Sequence, residues 1–421
     1  MNIAMLVAGV PPNPATGGGA VTAWTVMTQL LELGHDVGVV VLVDEDAPAD
    51  NVDRDALVRA RGAELVRLPS RAASVFERLP HSPSARLSRV VDPPEETLYP
   101  TLLDRAAMSD AVDGLGADAA FVYHFESLAA SRDVTIPRFA AVGDPPHLSA
   151  LYHFRRALPD PRSLRHGLRL QAQVRRQPRL LVEMLHECAA CGAFAAHHAA
   201  WLRTSGVPGC AYLRTPVPDP GPVWRDEAER PRILLIGHLK GAVTLEGLEL
   251  FARGVLPLLE EELGEDGFEV RLAGGYEPPP RLRRLLDRPS IRLLGHVEDV
   301  STELRSAHVL LVPNSITLGV RVRIVTAFSY GSCVVTHRSN TLGIPELAHE
   351  RNALVAHDPR GLAHELLRAL GDAGLRAELG ERARETYAES FHPAVSVGRI
   401  AETLERIAGA RGAPAAASRA R

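Results

Sequence analysis

A chain of 421 residues, 46% hydrophobic and 23% charged, holds enough apolar material for more than one core, and its length suggests roughly two to three domains. The formal net charge of -4 supplies no bulk attraction for nucleic acid, so no nucleic-acid partner is expected. No stretch approaches the ~20 uninterrupted apolar residues of a membrane span, and Cys188, Cys191, Cys210 and Cys333 are too few for a disulfide framework, which makes a reducing cytoplasm the default location.

Residues 2–9 are an apolar run with no basic segment before it, and are expected to form a first strand, not an export signal. A loop with Pro11, Pro12 and the run Gly17, Gly18, Gly19 follows, then a helical pattern over 20–33 stopped by Gly34, then a strand over 36–42. Strand, glycine loop, helix, strand is a βαβ unit, whose crossover implies a parallel sheet. The spacing of Gly17, Gly18 and Gly19 is not the dinucleotide fingerprint, so nicotinamide binding is weakly supported. Further strands fit 64–68, 119–123 and 138–142.

Residues 151–185 read as helical and carry Arg155, Arg156, Arg162, Arg165, Arg169, Arg175, Arg176 and Arg179. A solvated helix face is the first reading, with a membrane-surface patch or an acidic-ligand site as alternatives. Cys188 and Cys191 have CxxC spacing near His186 and His197, but no second pair follows, so a structural role is preferred to a metal. The stretch 215–222, TPVPDPGP, is too rich in proline for a helix or a central strand and reads as a linker.

A second alternation starts at 232–236. It continues as helix 245–263, strand 269–273 closed by Gly274, helix 280–286, strand 291–294, helix 300–306, strand 309–312, helix to about 330, and strand 333–336. Pro313, Asn314 and Ser315 break the chain after the strand at 309–312, Gly319 lets backbone approach a ligand closely, and Arg321 and Arg323 stand where a helix starts. A helix start prefers acidic residues, so two arginines there cost ~0.3–1 kcal/mol unless an anion such as a diphosphate sits opposite. Two solvated surface arginines are the alternative. Lys240 is the only lysine in the chain, among 47 Lys plus Arg.

The fold class expected is α/β, with two doubly wound Rossmann-like domains facing across a cleft. The boundaries expected are 1–216 for the first domain, 217–228 for the linker, 229–385 for the second domain, 386–408 for a C-terminal helix crossing back, and 409–421 for a disordered tail. Open α/β sheets bind ligands beyond the carboxyl ends of their strands, which singles out Gly237 to Lys240, Gly274, His296 to Asp299 and Asn314 to Arg323 in the second domain. In the first domain the same rule selects Gly17 to Gly19, His124 and the Asp144-Pro-Pro-His147 turn.

Four stretches of the second domain resemble glycosyltransferase family 4, also called group 1: LLIGHLKGAVTLEGLELFARGVLPLL at 234–259, IRLLGHVEDV at 291–300, LGVRVRIVTAFSYGSCVV at 318–335 and LGIPEL at 342–347. The first strand, its proline and glycine loop and LLELGHDV at 30–37 resemble the same family's acceptor domain, and 202–218 resembles its approach to the linker. The resemblance implies the GT-B fold and transfer of a sugar from a nucleotide-diphosphate sugar, UDP- or GDP-linked, usually with retention, with no tightly bound cofactor and no obligatory metal. It implies a donor site drawn from Gly18, Gly19, Gly237, Gly274, Val297, Glu298, Asn314, Gly319, Val320, Arg321, Arg323 and Thr326, with Arg321 and Arg323 at the basic positions of a GxRxK motif and backbone of Val297 and Glu298 against the base. Lys240 is the candidate phosphate-binding lysine and His124 falls at the histidine near the reacting sugar, with a core or capping histidine as the alternative. Asp144 and His147 are the acceptor candidates, the acceptor being a soluble small molecule such as a natural-product intermediate; a lipid-linked acceptor with membrane association is the less favoured reading.

Two positions depart from the family pattern. Thr326 stands where a glutamate usually meets the donor ribose, and Leu318 replaces the motif's earlier acid. Threonine can hydrogen-bond but brings no charge, which admits a rearranged ribose contact or a catalytically inactive homologue. Oligomeric state is not legible.

Overall fold

The computed structural model describes residues 1–15, 17–44, 54–72, 98, 101–148, 151–152, 164–239 and 241–412. They form two compact units, one comprising Met1–Asn13, Val26–Leu213 and Val397–Arg421, the other Pro14–Thr25 with Arg214–Ser396.

The first unit is built on strands β1 (Asn2–Ala8), β2 (Asp36–Asp44), β3 (Glu64–Ala72), β4 (Thr101–Leu102), β5 (Ala119–Tyr123), β6 (Arg138–Val142), β7 (Ala190–Ala193) and β8 (Ala211–Tyr212). Their order is β4-β3-β2-β1-β5-β6-β7-β8, with every pair parallel except the two-residue β4 against β3. Strands β1, β5 and β6 are buried on both faces, which is why they read as unbroken apolar runs and not as alternation. The crossover helix Gly18–Glu32 is followed by Gly34 at φ 84°, the left-handed residue that ends a helix without a Cβ clash. Strand β1 pairs with β2 on one side and β5 on the other, so the strand order reverses there, and His124 follows β5 at that switch point.

The second unit carries β9 (Arg232–Ile236), β10 (Glu269–Ala273), β11 (Ile291–Gly295), β12 (Val309–Val312), β13 (Val334–His337) and β14 (Leu354–Ala356). All pairs are parallel and the order is β11-β10-β9-β12-β13-β14. Successive residues face opposite layers. Ile233, Leu235, Val309 and Leu311 pack with Phe251, Leu256 and Leu366 on one side, while Leu234, Leu310 and Val312 pack with Ile324, Phe328 and Tyr387 on the other. This strand order reverses between β9 and β12.

Several elements differ from the sequence expectation for identifiable reasons. The single helix expected at 245–263 is two α-helices, Ala242–Leu250 and Leu256–Leu263, joined by a π turn at Phe251–Val255. Pro257 lacks the N–H that would continue the ladder, and the wider turn absorbs that loss. The sequence pattern predicts no strand at β4, β7, β8 or β14 (Leu354–Ala356), because ACGA and pieces of two or three residues carry no apolar run or period to read. The second unit starts at Arg214, not after a free linker at 217–228: Thr215 and Val217 are buried, Tyr387 Oη donates to the Val217 carbonyl at 3.1 Å, and Arg376 Nη2 binds Glu227 Oε2 at 2.6 Å. Proline forbids regular structure there but not packing. The helix Pro393–Gly412 belongs to the second unit as far as Ser396 and to the first from Val397 on.

Candidate active site

Strand β9 ends at Ile236 and strand β12 at Val312, so Gly237 and Asn314 lie beside each other at the reversal point of the second sheet. Arg323, in the first turn of the helix Val322–Ser329, brings its guanidinium to the same place. Its Nη2 donates to Asn314 Oδ1, and Asn314 Nδ2 donates to the Val243 carbonyl. Asn314 is buried, its backbone carbonyl accepts from Ser339 Oγ at 2.7 Å, and with Oδ1 and Nδ2 both engaged its side chain orients Arg323 and leaves little of itself for a ligand. A Cβ built on Gly237 would lie 2.8 Å from Arg323 Nη1 and 2.6 Å from Thr244 Cγ2; only glycine admits the guanidinium there.

Burial, with a smaller contribution from the like charge of Arg321, lowers Arg323 to about 9, which still leaves it cationic at neutral pH. The buried Arg323 Nε has no hydrogen-bond partner among the described residues. A half-buried cation with an unused buried donor and, among the described residues, no carboxylate in an ion pair with it is suited to an anion supplied from outside. Arg321 is the N-cap of the same helix and its Nη2 donates to the Ile316 carbonyl at 3.3 Å. Gly319, at φ 65°, makes the left-handed turn that the loop needs before Val320 and that helix.

The remaining donor-side candidates surround this seat unequally. Gly274 follows β10, and a Cβ on it would fall 1.9 Å from the Gly237 carbonyl oxygen, so the two loops are in backbone contact. Val297 packs on the second unit's core while Glu298 is exposed after β11. Gly18 groups with the second unit, where an added Cβ would meet Val322 Cγ2 at 2.8 Å; Gly19 is the next residue of the helix. Thr326 turns its hydroxyl into its own helix and donates to the Val322 carbonyl at 3.2 Å. Lys240 lies outside the described residues. Sequence reasoning missed Glu246, which accepts from Ser315 N at 3.1 Å and from Ser315 Oγ and so anchors the loop after β12. Nothing local marks it, since 69 residues separate the partners.

In the first unit, His124 adopts φ 76°, ψ 163° at the start of the helix Phe125–Ala130, a conformation rarely tolerated outside glycine. Its ring stacks on Tyr123 with centroids 3.7 Å apart, and a Cβ on Gly143 would lie 2.8 Å from its Nδ1. Burial lowers both His124 and His147 to about 4, so both rings are neutral at physiological pH and can offer hydrogen bonds but no charge. His147 packs its ring 4.9 Å from that of Trp201, and Asp144 Oδ1 is 3.9 Å from His198 Nδ1. Cys188 Sγ donates to the Met184 carbonyl, and no group of three or more His, Cys, Asp or Glu among the described residues is placed to hold a metal. Arg175, Arg176 and Arg179 are exposed on the helix Leu164–His186, whereas Arg155, Arg156 and Arg162 lie outside the described residues.

Residues 230–372 match the family model described as glycosyl transferases, group 1. No curated protein matches the chain in sequence. Solved structures match it in fold: a glycosyltransferase from Rickettsia africae is 12% identical with a TM-score of 0.65, covering 96% of this chain and 98% of its own. Sucrose-phosphate synthase from Thermosynechococcus elongatus is 15% identical with a TM-score of 0.68, covering 97% and 99%. The Anabaena protein HepE, solved with UDP and glucose, is 13% identical with a TM-score of 0.65, covering 95% and 99%.

Proposed function

We propose that this chain, a protein of the GT-B glycosyltransferase fold whose second unit carries the group 1 sequence family, transfers a sugar from a nucleoside-diphosphate donor to a soluble small-molecule acceptor. The observation that carries this reading is the half-buried Arg323 with its buried, unused Nε, held by Asn314 at the reversal point of a parallel sheet. Breaking the bond between the sugar and the diphosphate puts negative charge on the departing phosphate oxygens. A fixed cation and the amides of a helix start, already desolvated, meet that charge without reorganisation and so lower the barrier. Arg321 adds a second cation at the same helix start, and Lys240 is proposed as a third.

UDP and GDP are the candidate carriers; HepE has been solved with UDP-glucose, which supports trying UDP first. Retention, a hexosyl donor, independence from an added metal and a natural-product acceptor remain parts of the same proposal. On the acceptor side, neutral His124 and His147 with Asp144 offer hydrogen-bonding groups for hydroxyls, and strain at His124 suits a residue held for its position and not for its comfort. The test is donor consumption with a panel of acceptors, comparing wild type with Arg323→Ala. Loss of such a contact is expected to cost ~2.7–4 kcal/mol, roughly a hundredfold or more in rate. Transfer by the variant at over a tenth of the wild-type rate sinks the assignment.

A second reading, a nucleotide-binding homologue without turnover, is favoured by Thr326, whose hydroxyl is spent on Val322 where the family pattern has a carboxylate. Tight UDP binding with no hydrolysis or transfer across the panel would support it. A lipid-linked acceptor is supported only by the exposed Arg175, Arg176 and Arg179, and vesicle co-sedimentation at low salt tests it.

A further inference from the structure

Beyond the phosphate seat, the ends of β9 and β10 carry two exposed aromatic rings, His238 and Tyr276. Tyr276 is 54% exposed and sits at φ 75°, in the left-handed region that a bulky residue enters only under strain. The strain is imposed from both sides. Gly274 N donates to the Gly295 carbonyl at 2.8 Å, Leu239 N donates to the Gly275 carbonyl at 3.3 Å, and Gly274 leaves no room for a Cβ against Gly237. Downstream, Pro278, Pro279 and Pro280 stiffen the chain into the next helix. The backbone is therefore locked, and Tyr276 is held with its ring 4.9 Å from the His238 ring, at 65° to it. A glycine or asparagine would meet the backbone requirement with less strain, so the turn alone does not explain a tyrosine.

We infer that Tyr276, propped edge-on by His238, is a stacking platform for the nucleobase of the donor, an inference that rests on the function proposed above. The sheet order supplies the proximity. Arg323 and Gly237 place the diphosphate over β9 and β12, and β10 is the next strand outward on the β9 side, about 4.8 Å away. A nucleoside leaving the diphosphate toward β11 must cross the end of β10, where Tyr276 stands. Stacking on an exposed aromatic ring tolerates any base, because every base has a π-face. It would also supply binding of the nucleoside portion without the carboxylate that Thr326 replaces.

The experiment is calorimetric titration of wild type, Tyr276→Phe, Tyr276→Gly and His238→Ala with UDP, GDP and inorganic pyrophosphate, together with thermal unfolding of each. Tyr276→Phe is expected to match wild type, and Tyr276→Gly to bind UDP and GDP about tenfold more weakly or worse, with pyrophosphate unchanged. Thermal stability of Tyr276→Gly should equal or exceed that of wild type, since glycine relieves the positive φ. His238→Ala should fall between the two in nucleotide affinity. Equal nucleotide affinity in wild type and Tyr276→Gly, or an equal loss for pyrophosphate, overturns the platform while leaving the donor reading intact. Wild type that binds none of the three ligands overturns both.

Discussion

Arg323 donates to Asn314, and Asn314 donates onward to the Val243 carbonyl, so one buried amide ties the start of one helix to the start of another through a cation. Asn314→Ala would strip Arg323 of its acceptor and take one donor from the Val243 carbonyl, for an expected stability loss of about 1–3 kcal/mol in urea unfolding. Asn314→Asp should behave differently. A carboxylate would pair with Arg323, offsetting in part the lost bond to the Val243 carbonyl, but would compete with a diphosphate for the same guanidinium and weaken UDP binding at least tenfold. Unchanged UDP affinity in Asn314→Asp would show that Arg323 is not a phosphate partner.

Thr326 points its hydroxyl at the Val322 carbonyl, 3.2 Å away, inside its own helix. Thr326→Val, of nearly the same shape, is therefore expected to change UDP affinity less than about threefold, a difference below 1 kcal/mol. A larger loss in the same titration would place the hydroxyl on the donor.

Gly274 and Gly275 are neighbours with opposite constraints. A Cβ on Gly274 would fall 1.9 Å from the Gly237 carbonyl oxygen, whereas one on Gly275 meets nothing within 4 Å. Gly274→Ala should force the β9 and β10 loops apart and cost about 3 kcal/mol. Gly275→Ala should cost less than about 1 kcal/mol. Chemical denaturation of both variants checks the contrast, and equal midpoints would refute the backbone contact.

His147 is held near 4 by burial, below its ordinary value of 6.5, and its Nδ1 has no partner among the described residues. Between those values the unfolded chain binds more protons than the folded one, so this residue's contribution is fully present above pH 6.5 and is lost as pH falls toward 4. His147→Phe keeps an aromatic ring beside Trp201 and cannot titrate. Its unfolding free energy should fall less steeply than that of wild type between pH 6.5 and 4, and parallel curves would show that His147 is not the group responsible.

Much of the fold was legible because its signals are local. Apolar runs such as 232–236 and 309–312 are what a strand buried on both faces requires, and Gly34 and Pro313 mark stops by their own backbone limits. Strands β4, β7, β8 and β14 are not legible, since small residues and pieces of two or three residues carry no periodicity. Arg323 was legible as a cation at the wrong end of a helix dipole; its partial burial was not, because Gly237 reaches it from a distant part of the chain and Asn314 is itself fixed by the equally distant Val243.

From the sequence alone came the alternation of strands and helices, the glycines where backbones must approach, and the misplaced charge. The tertiary structure decided that β9 and β12 are neighbours, and hence that Gly237, Asn314 and Arg323 share one pocket. Periodicity reports which face of an element is apolar, whereas strand order is set by hydrogen bonding between segments far apart in the chain, and only that pairing turns a scattered set of residues into a site.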